Sequence, residues 1–242
     1  MSYAALALRL ATVEALCPTK SIAENKPFPT DAGKLVYDSR LRPLDANEAA
    51  HNKAGIFVYT DDANLVSGAS HGGPPFRASI DLVLVLIIAG PAAKEAQTEA
   101  RLDALEGQVF ATLFYGPSGS IWRKLTDSRV AKAEVETERS AEEHAVILIR
   151  TLRLACQVPF DCIDLNPATV PAGADRIPEP LKGVLASLSN TAYGKQIGLS
   201  LQNGAPVMPV LPLLETMDMG IDAHRPADGQ ADVSLAIDIP QT

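Results

Sequence analysis

The sequence predicts an α/β (α+β) subunit: a mixed, mainly antiparallel sheet flanked by helices, followed by a Pro-rich C-terminal extension. Three observations carry this. The run RASIDLVLVLIIAG is apolar on both faces from Leu82 onward, as a central strand covered on both sides requires. In KEAQTEARLDALEGQVFATLF, Leu102, Leu105, Val109 and Leu113 share one face with Phe110 and Phe114 beside it, and Glu99, Arg101, Asp103 and Glu106 take the other, which is the pattern of a helix packed on a sheet. Two further strand-like runs, VAKAEVETERS and HAVILIRTLRLACQV, are separated only by the acidic stretch from Ser140 to Glu143, so they predict a hairpin.

The remaining elements follow in chain order. Leu6, Leu10, Val13 and Cys17 recur at helical spacing after Ser2, a candidate N-cap, and Pro18 stops the run. Residues 18–34 read as a long loop, KLVYDSR as a short strand, and GIFVYTDD as a strand whose paired Asp61 and Asp62 lead into a turn. GPSGSIWRKL offers a turn and a short helical turn. On VAKAEVETERS, Lys132, Glu134, Glu136 and Glu138 alternate with Ala131, Ala133, Val135 and Thr137, so one face is expected to be wet. On its partner, Val146, Leu148, Leu152, Leu154, Cys156 and Val158 line one side.

The character changes at Pro159. Ten of the eighteen prolines fall between Pro159 and Pro240, and residues 159–242 hold ten acidic residues against four basic ones, so six units of the net charge of −8 sit there. A helix with Leu181, Val184, Leu185 and Leu188 and a strand over DVSLAIDI are expected within it. The organisation read from this is a domain over 1–158 and an extension over 159–242 that serves as an interaction arm and gains its order from neighbours.

At 242 residues with 47% hydrophobic content, the chain can bury a full-sized core. Its acidic balance argues against a nucleic-acid groove, which needs a basic stripe. The longest strongly apolar run, Leu82 to Ala89, is far below the ~20 residues of a membrane-spanning helix, and the Ala- and Leu-rich start carries Arg9 and Glu14 where a secretion signal is uninterrupted. Cys17, Cys156 and Cys162 have neither CxxC spacing nor a matched His pair. Buried reduced thiols are therefore the preferred reading, with a Cys156–Cys162 bridge left open for an oxidising setting.

Gly68-Ala69-Ser70-His71-Gly72 fits the GxSxG pattern of a serine nucleophile elbow. The elbow needs a helix directly after the serine, and Pro74-Pro75 disfavour one, so GASHGGPP reads as a connecting loop. A serine hydrolase using Ser70 remains only as the alternative of another class. Asp61 and Asp62 point to opposite faces of an extended strand, and no EF-hand or HExxH spacing supports a metal. None of His51, His71, His144 and His224 has a ligand partner at i, i+4. With no P-loop or GxGxxG either, no cofactor is expected. Trp122, the single tryptophan, is either an anchor for a short helix or a subunit contact.

Taken together, the N-terminal helix, GIFVYTDD, SIDLVLVLII, LDALEGQVFATLF, SGSIWRKL and the pair KAEVETERS and HAVILIRTLRLACQV resemble, in their order and local style, the tail terminator (tail completion) proteins of tailed bacteriophages and gene-transfer-agent-like particles. The resemblance covers about the first 160 residues. It implies a structural virion protein without enzymatic activity, assembled in the host cytoplasm as a homohexameric ring at the head-proximal end of the tail. The ring would contact the tail tube protein, the sheath where one exists, and the neck or connector protein. DNA would only pass through its lumen. Another head–tail connector or neck protein is the nearest alternative. Trp122, Arg123, Asp61, Asp62 and His71 are the candidate subunit-interface residues under this reading.

Overall fold

In a computed structural model, residues 3–39, 54–67, 76–127, 130–141, 145–159 and 177–204 are described. Within them a five-stranded sheet runs in the order β1-β2-β3-β5-β4. The strands are β1 (Val36–Asp38), β2 (Ala54–Ser67), β3 (Phe76–Pro91), β4 (Val130–Ala141) and β5 (Ala145–Pro159). Only the β1–β2 pair is parallel; β2–β3, β3–β5 and β4–β5 are antiparallel, which makes the sheet mixed and mainly antiparallel as expected. Among the described residues, six α-helices accompany it: α1 (Tyr3–Leu16), α2 (Thr19–Ala23), α3 (Glu95–Phe114), α4 (Ser120–Thr126), α5 (Leu181–Ser187) and α6 (Tyr193–Gly204).

The central strand owes its place to its composition. Ala78, Ile80, Leu82, Leu84, Leu86 and Ile88 of β3 are at most 1% exposed and join Ile56, Val58, Leu148, Leu152, Leu154, Cys156 and Val158 on one sheet face. The buried apolar side chains of α1, α3, α4 and α5 all belong to this same cluster. On α3 the buried apolar positions are Leu102, Leu105, Val109 and Leu113, the face read from its spacing. Leu105→Ala is expected to cost about 2–5 kcal/mol through lost transfer energy plus a cavity. Chemical denaturation of the purified chain checks this, and a loss below ~0.5 kcal/mol would place Leu105 outside the core.

α1 differs from its reading. Leu6, Val13 and Cys17 are only half-buried, while Ala4, Ala5, Ala7, Leu8, Leu10, Ala11, Ala15 and Leu16 are buried. The alanines leave little side chain to keep neighbours away, so the helix is enclosed nearly all round by β1, β2, α3, α4, α5 and α6. Its buried charged residue Arg9 is neutralised by Asp38 at the end of β1. Ser2, the expected N-cap, lies outside the described residues.

Several boundaries also move. Residues 18–34 are not all loop, because Thr19–Ala23 forms α2, with Glu14 accepting from the Thr19 backbone N–H at 3.0 Å and from its hydroxyl at 2.7 Å. The paired aspartates do not end β2. A register shift between Asp61 and Ala63 absorbs one extra residue, so Asp61 stays opposite Asp81 and the strand continues to Ser67. β4 was expected to bury its Ala131/Ala133/Val135 side, yet these three are exposed, Val135 by 52%. It is the edge strand; Arg139 on it pairs with Glu99 of α3, and its Thr137 hydroxyl accepts from Arg150 of β5.

The domain division also falls elsewhere than after Val158. One compact unit spans Met1–Ala205 and a second Pro206–Thr242. Ile177, Leu181, Val184, Leu185, Leu188 and Ala192 are buried in the core of the first unit, so residues 177–204 belong to it and not to an arm. The expected helix at Leu181–Leu188 is α5. α6 was not foreseen, since NTAYGKQIGLSLQNG looks too rich in glycine and polar residues. Its glycines permit close packing: a Cβ on Gly194 would stand 2.7 Å from Leu188 Cδ1, and one on Gly198 would stand 2.5 Å from Leu185 Cδ1. The strand expected over DVSLAIDI lies outside the described residues.

Candidate functional site

Of the five interface candidates, Trp122 and Arg123 are used inside the subunit. Both lie on α4, which follows the turn Gly116–Ser120. There, a Cβ on Gly119 would stand 2.3 Å from the Thr112 carbonyl oxygen, so the turn closes tightly on the end of α3. This brings Trp122 beneath α3 with its ring edge-on to Phe114 at 5.2 Å, fully buried and unable to face another subunit. The next side chain, Arg123, turns the other way and donates Nη1–H to the carbonyls of Leu113 at 3.0 Å and Gly116 at 2.7 Å. The Leu113 carbonyl belongs to the last turn of α3, where a cation also meets the negative end of the helix dipole, and the Gly116 carbonyl, just past the helix, accepts the Gly119 N–H as well. Arg123→Ala should therefore destabilise the fold by about 1–2 kcal/mol without changing subunit contacts, and thermal unfolding beside sedimentation analysis separates the two effects.

Asp61 is exposed and accepts from Arg153 Nη1 at 3.2 Å. Register explains the company it keeps. Asp61 stands opposite Asp81, Asp81 opposite Ala155, and Ala155 opposite Lys132, while Arg153 stands opposite Glu134. Asp61, Asp81, Arg153, Lys132 and Glu134 therefore form one charged group across β2, β3, β5 and β4 on the face turned away from the helical core. Its like charges are offset by the two cations. The Lys132 hydrogen bond, then its charge, holds the Glu134 carboxyl below its ordinary range. Nearby on the same face lie Tyr37 and Phe57, stacked at 5.1 Å, with Val83, Val85 and Ile87. Asp62 lies in the β2 register shift. His71 and Ser70 lie outside the described residues, as does the whole GASHGGPP loop.

Two clusters carry no signal that the sequence reading picked up. Arg150 sits among the apolar residues of β5, 9% exposed, where it donates to Asp103 at 2.7 Å, Glu106 at 2.6 Å and Thr137 at 3.1 Å. Burial opposes its charge, and the bonds to Asp103 and Glu106 outweigh that, so its pKa is raised. The available signal was its even-numbered position on the buried side of β5, matched by two acids spaced three apart on α3. At the opposite end of the sheet, Asp38 receives Arg9, the Ser39 hydroxyl at 3.1 Å and the Tyr193 hydroxyl at 3.2 Å. These residues come from 155 positions apart in sequence, which no local pattern reveals.

Beside Asp38 opens a cleft of about 630 Å³ between α1, α2, β1 and α6, lined by Leu10, Val13, Ile22, Val36, Tyr193 and Lys34 among others. Cys17 also lines it, and burial, then the charge of Glu14, pushes its thiol up. Cys156 is a free, fully buried thiol pushed up to about 12 by burial and then by Asp81. Cys162 lies outside the described residues. Among the described residues, no group of three or more His, Cys, Asp and Glu is placed to hold a metal ion, and no helix is long and apolar enough to cross a membrane. No protein-family model matches the chain, and no curated protein matches it.

Proposed function

We propose that this chain is a tail terminator, a structural subunit that closes the head-proximal end of a phage-type tail as a ring and joins it to the neck. The observation that carries the reading is the order of elements: helix, strand pair, long amphipathic helix, short Trp-bearing helix, strand pair. That order is shared in style with the terminator proteins. The two ends of the sheet add a physical argument. One end offers β4, exposed on both faces, with an outer edge that no described strand pairs; the other offers the cleft beside the three-residue β1. Surfaces so unlike are suited to head-to-tail contact between copies, and head-to-tail contacts that close make a ring. The charged group around Asp61 and Arg153 adjoins β4 and would fix the register of such a contact more than its affinity. A net charge of −8 also suits a conduit that phosphate should pass without sticking.

The test is removal of the gene from the particle-producing genome. Tails that grow past their set length, together with heads left unjoined, are the expected outcome. Tails of normal length that join heads normally would overturn the reading.

A further inference from the structure

The outer edge of β1 is a short stretch of unpaired sheet set in the wall of the cleft. Ile56 N–H donates to the Leu35 carbonyl at 2.9 Å and Ser39 N–H to the Val58 carbonyl at 3.0 Å. In a parallel pair, residues whose backbone groups face the partner alternate with residues whose groups face away. Leu35, Tyr37 and Ser39 therefore face β2, and the N–H and C=O groups of Val36 and Asp38 point outward. Both residues line the cleft, and no described strand pairs them. The walls on either side are apolar, and two of their large side chains, Ile22 and Tyr193, are each 48% exposed at the mouth. A strand edge beside an apolar trough is the geometry that accepts an added strand: main-chain bonds hold it, and alternate side chains enter the trough.

Charge narrows the occupant. The acids of the cleft are already engaged, Glu14 by Thr19 and Asp38 by Arg9, Ser39 and Tyr193. Burial, then Asp38, raises the Tyr193 pKa, which keeps its hydroxyl in the donating form. Lys34 is exposed at the rim with no carboxylate bound to it among the described residues, and Lys20 is exposed on α2 nearby in sequence to the lining residues. An apolar strand carrying acidic residues fits this balance. The chain itself contains one: in DVSLAIDI, residues 232–239, Val233, Leu235, Ile237 and Ile239 alternate with Asp232, Ser234, Ala236 and Asp238. Residues 206–242 as a whole hold six acidic residues and one arginine. The chain between Gly204, where α6 ends, and Asp232 is long enough to reach another subunit.

We propose that residues 232–239 of one copy add as an edge strand to β1 of a second copy, with their apolar side chains in the cleft and an aspartate near Lys34. This stands apart from the tail reading, since any self-assembling protein can use such an exchange. The test titrates a fluorescent synthetic peptide of residues 230–242 into the full-length chain carrying Leu235→Asp and Ile237→Asp, which disable its own tail. The peptide is expected to bind. Adding Val36→Pro, which removes one outward N–H and leaves the β2-facing bonds in place, should weaken it about ten-fold. Lys34→Glu, an exposed change that leaves the fold intact, should weaken it about three-fold or more. Wild-type chain should self-associate in sedimentation and the doubly substituted chain should not. Absence of peptide binding, or binding that neither Val36→Pro nor Lys34→Glu weakens, overturns the proposal. So does a wild-type chain that stays monomeric while the peptide binds the doubly substituted one, because the tail would then serve its own subunit.

Discussion

A chain ending at Val158 is expected to lose its native fold. Residues 177–204 supply Ile177, Leu181, Val184, Leu185 and Leu188 to the core, each a side chain whose burial contributes about 1.5–3 kcal/mol before the entropy of ordering is counted. Their removal has a second consequence. α1 is buried nearly all round only because α5 and α6 lie against it, so without them Leu10 and its alanine neighbours meet water. The Asp38 carboxylate also loses the Tyr193 hydroxyl, and the buried Arg9–Asp38 pair opens to solvent. A net loss of at least ~4 kcal/mol is expected, which is roughly 8–16 °C in Tm at this chain length, or no cooperative transition at all. Should the short chain aggregate before it can be measured, Leu185→Asp in the full chain tests the same packing, because it buries an unpaired charge at a site 6% exposed. A truncated chain melting within ~3 °C of the full chain would show that α5 and α6 are accessories.

Trp122→Ala is expected to be the most damaging single truncation, about 3–5 kcal/mol. The indole is fully buried among α1, α3 and α4, edge-on to Phe114, and its loss leaves a cavity that backbone held by the tight Gly119 turn cannot easily close. Among the described residues the indole Nε1–H has no acceptor, so the contribution argued for Trp122 is that of its ring. Trp122→Phe should consequently cost much less, about 1–2 kcal/mol, since the aromatic contact persists and the orphan donor disappears. Denaturant unfolding of the two variants gives the comparison. A loss below ~1 kcal/mol for Trp122→Ala, accompanied by a change of oligomeric state, would return Trp122 to the subunit interface.

What could be read from the sequence followed from periodicity. β3, α3, β5 and the β4–β5 hairpin were legible because a single residue type pattern ran unbroken for a dozen or more positions in each. Where pattern and packing conflicted, packing prevailed. The paired Asp61 and Asp62 look like a strand end, yet one extra residue in the ladder and the Arg153 guanidinium let the strand continue. α6 looks like a loop because of Gly194 and Gly198, and those glycines are what let it approach Leu188 and Leu185. Trp122 was read either as an anchor for a short helix or as a subunit contact, and its burial against Phe114 decides for the anchor, a choice that needs tertiary neighbours to make. Arg9 with Asp38 was illegible for the same reason, and Arg150 with Asp103 and Glu106 left only the arginine's place on the buried side of β5 as a sign: each joins elements separated by 29 to 47 residues.

The central claim, a terminator ring, is tested most directly by electron cryo-microscopy of intact particles at the junction between tail and neck. The account predicts density for one ring of six copies, each with the β1-to-β4 sheet and the α1–α3 layer, placed between the last ring of the tube and the connector. A single copy at that position, or particles with no density for this chain at the junction, would contradict it.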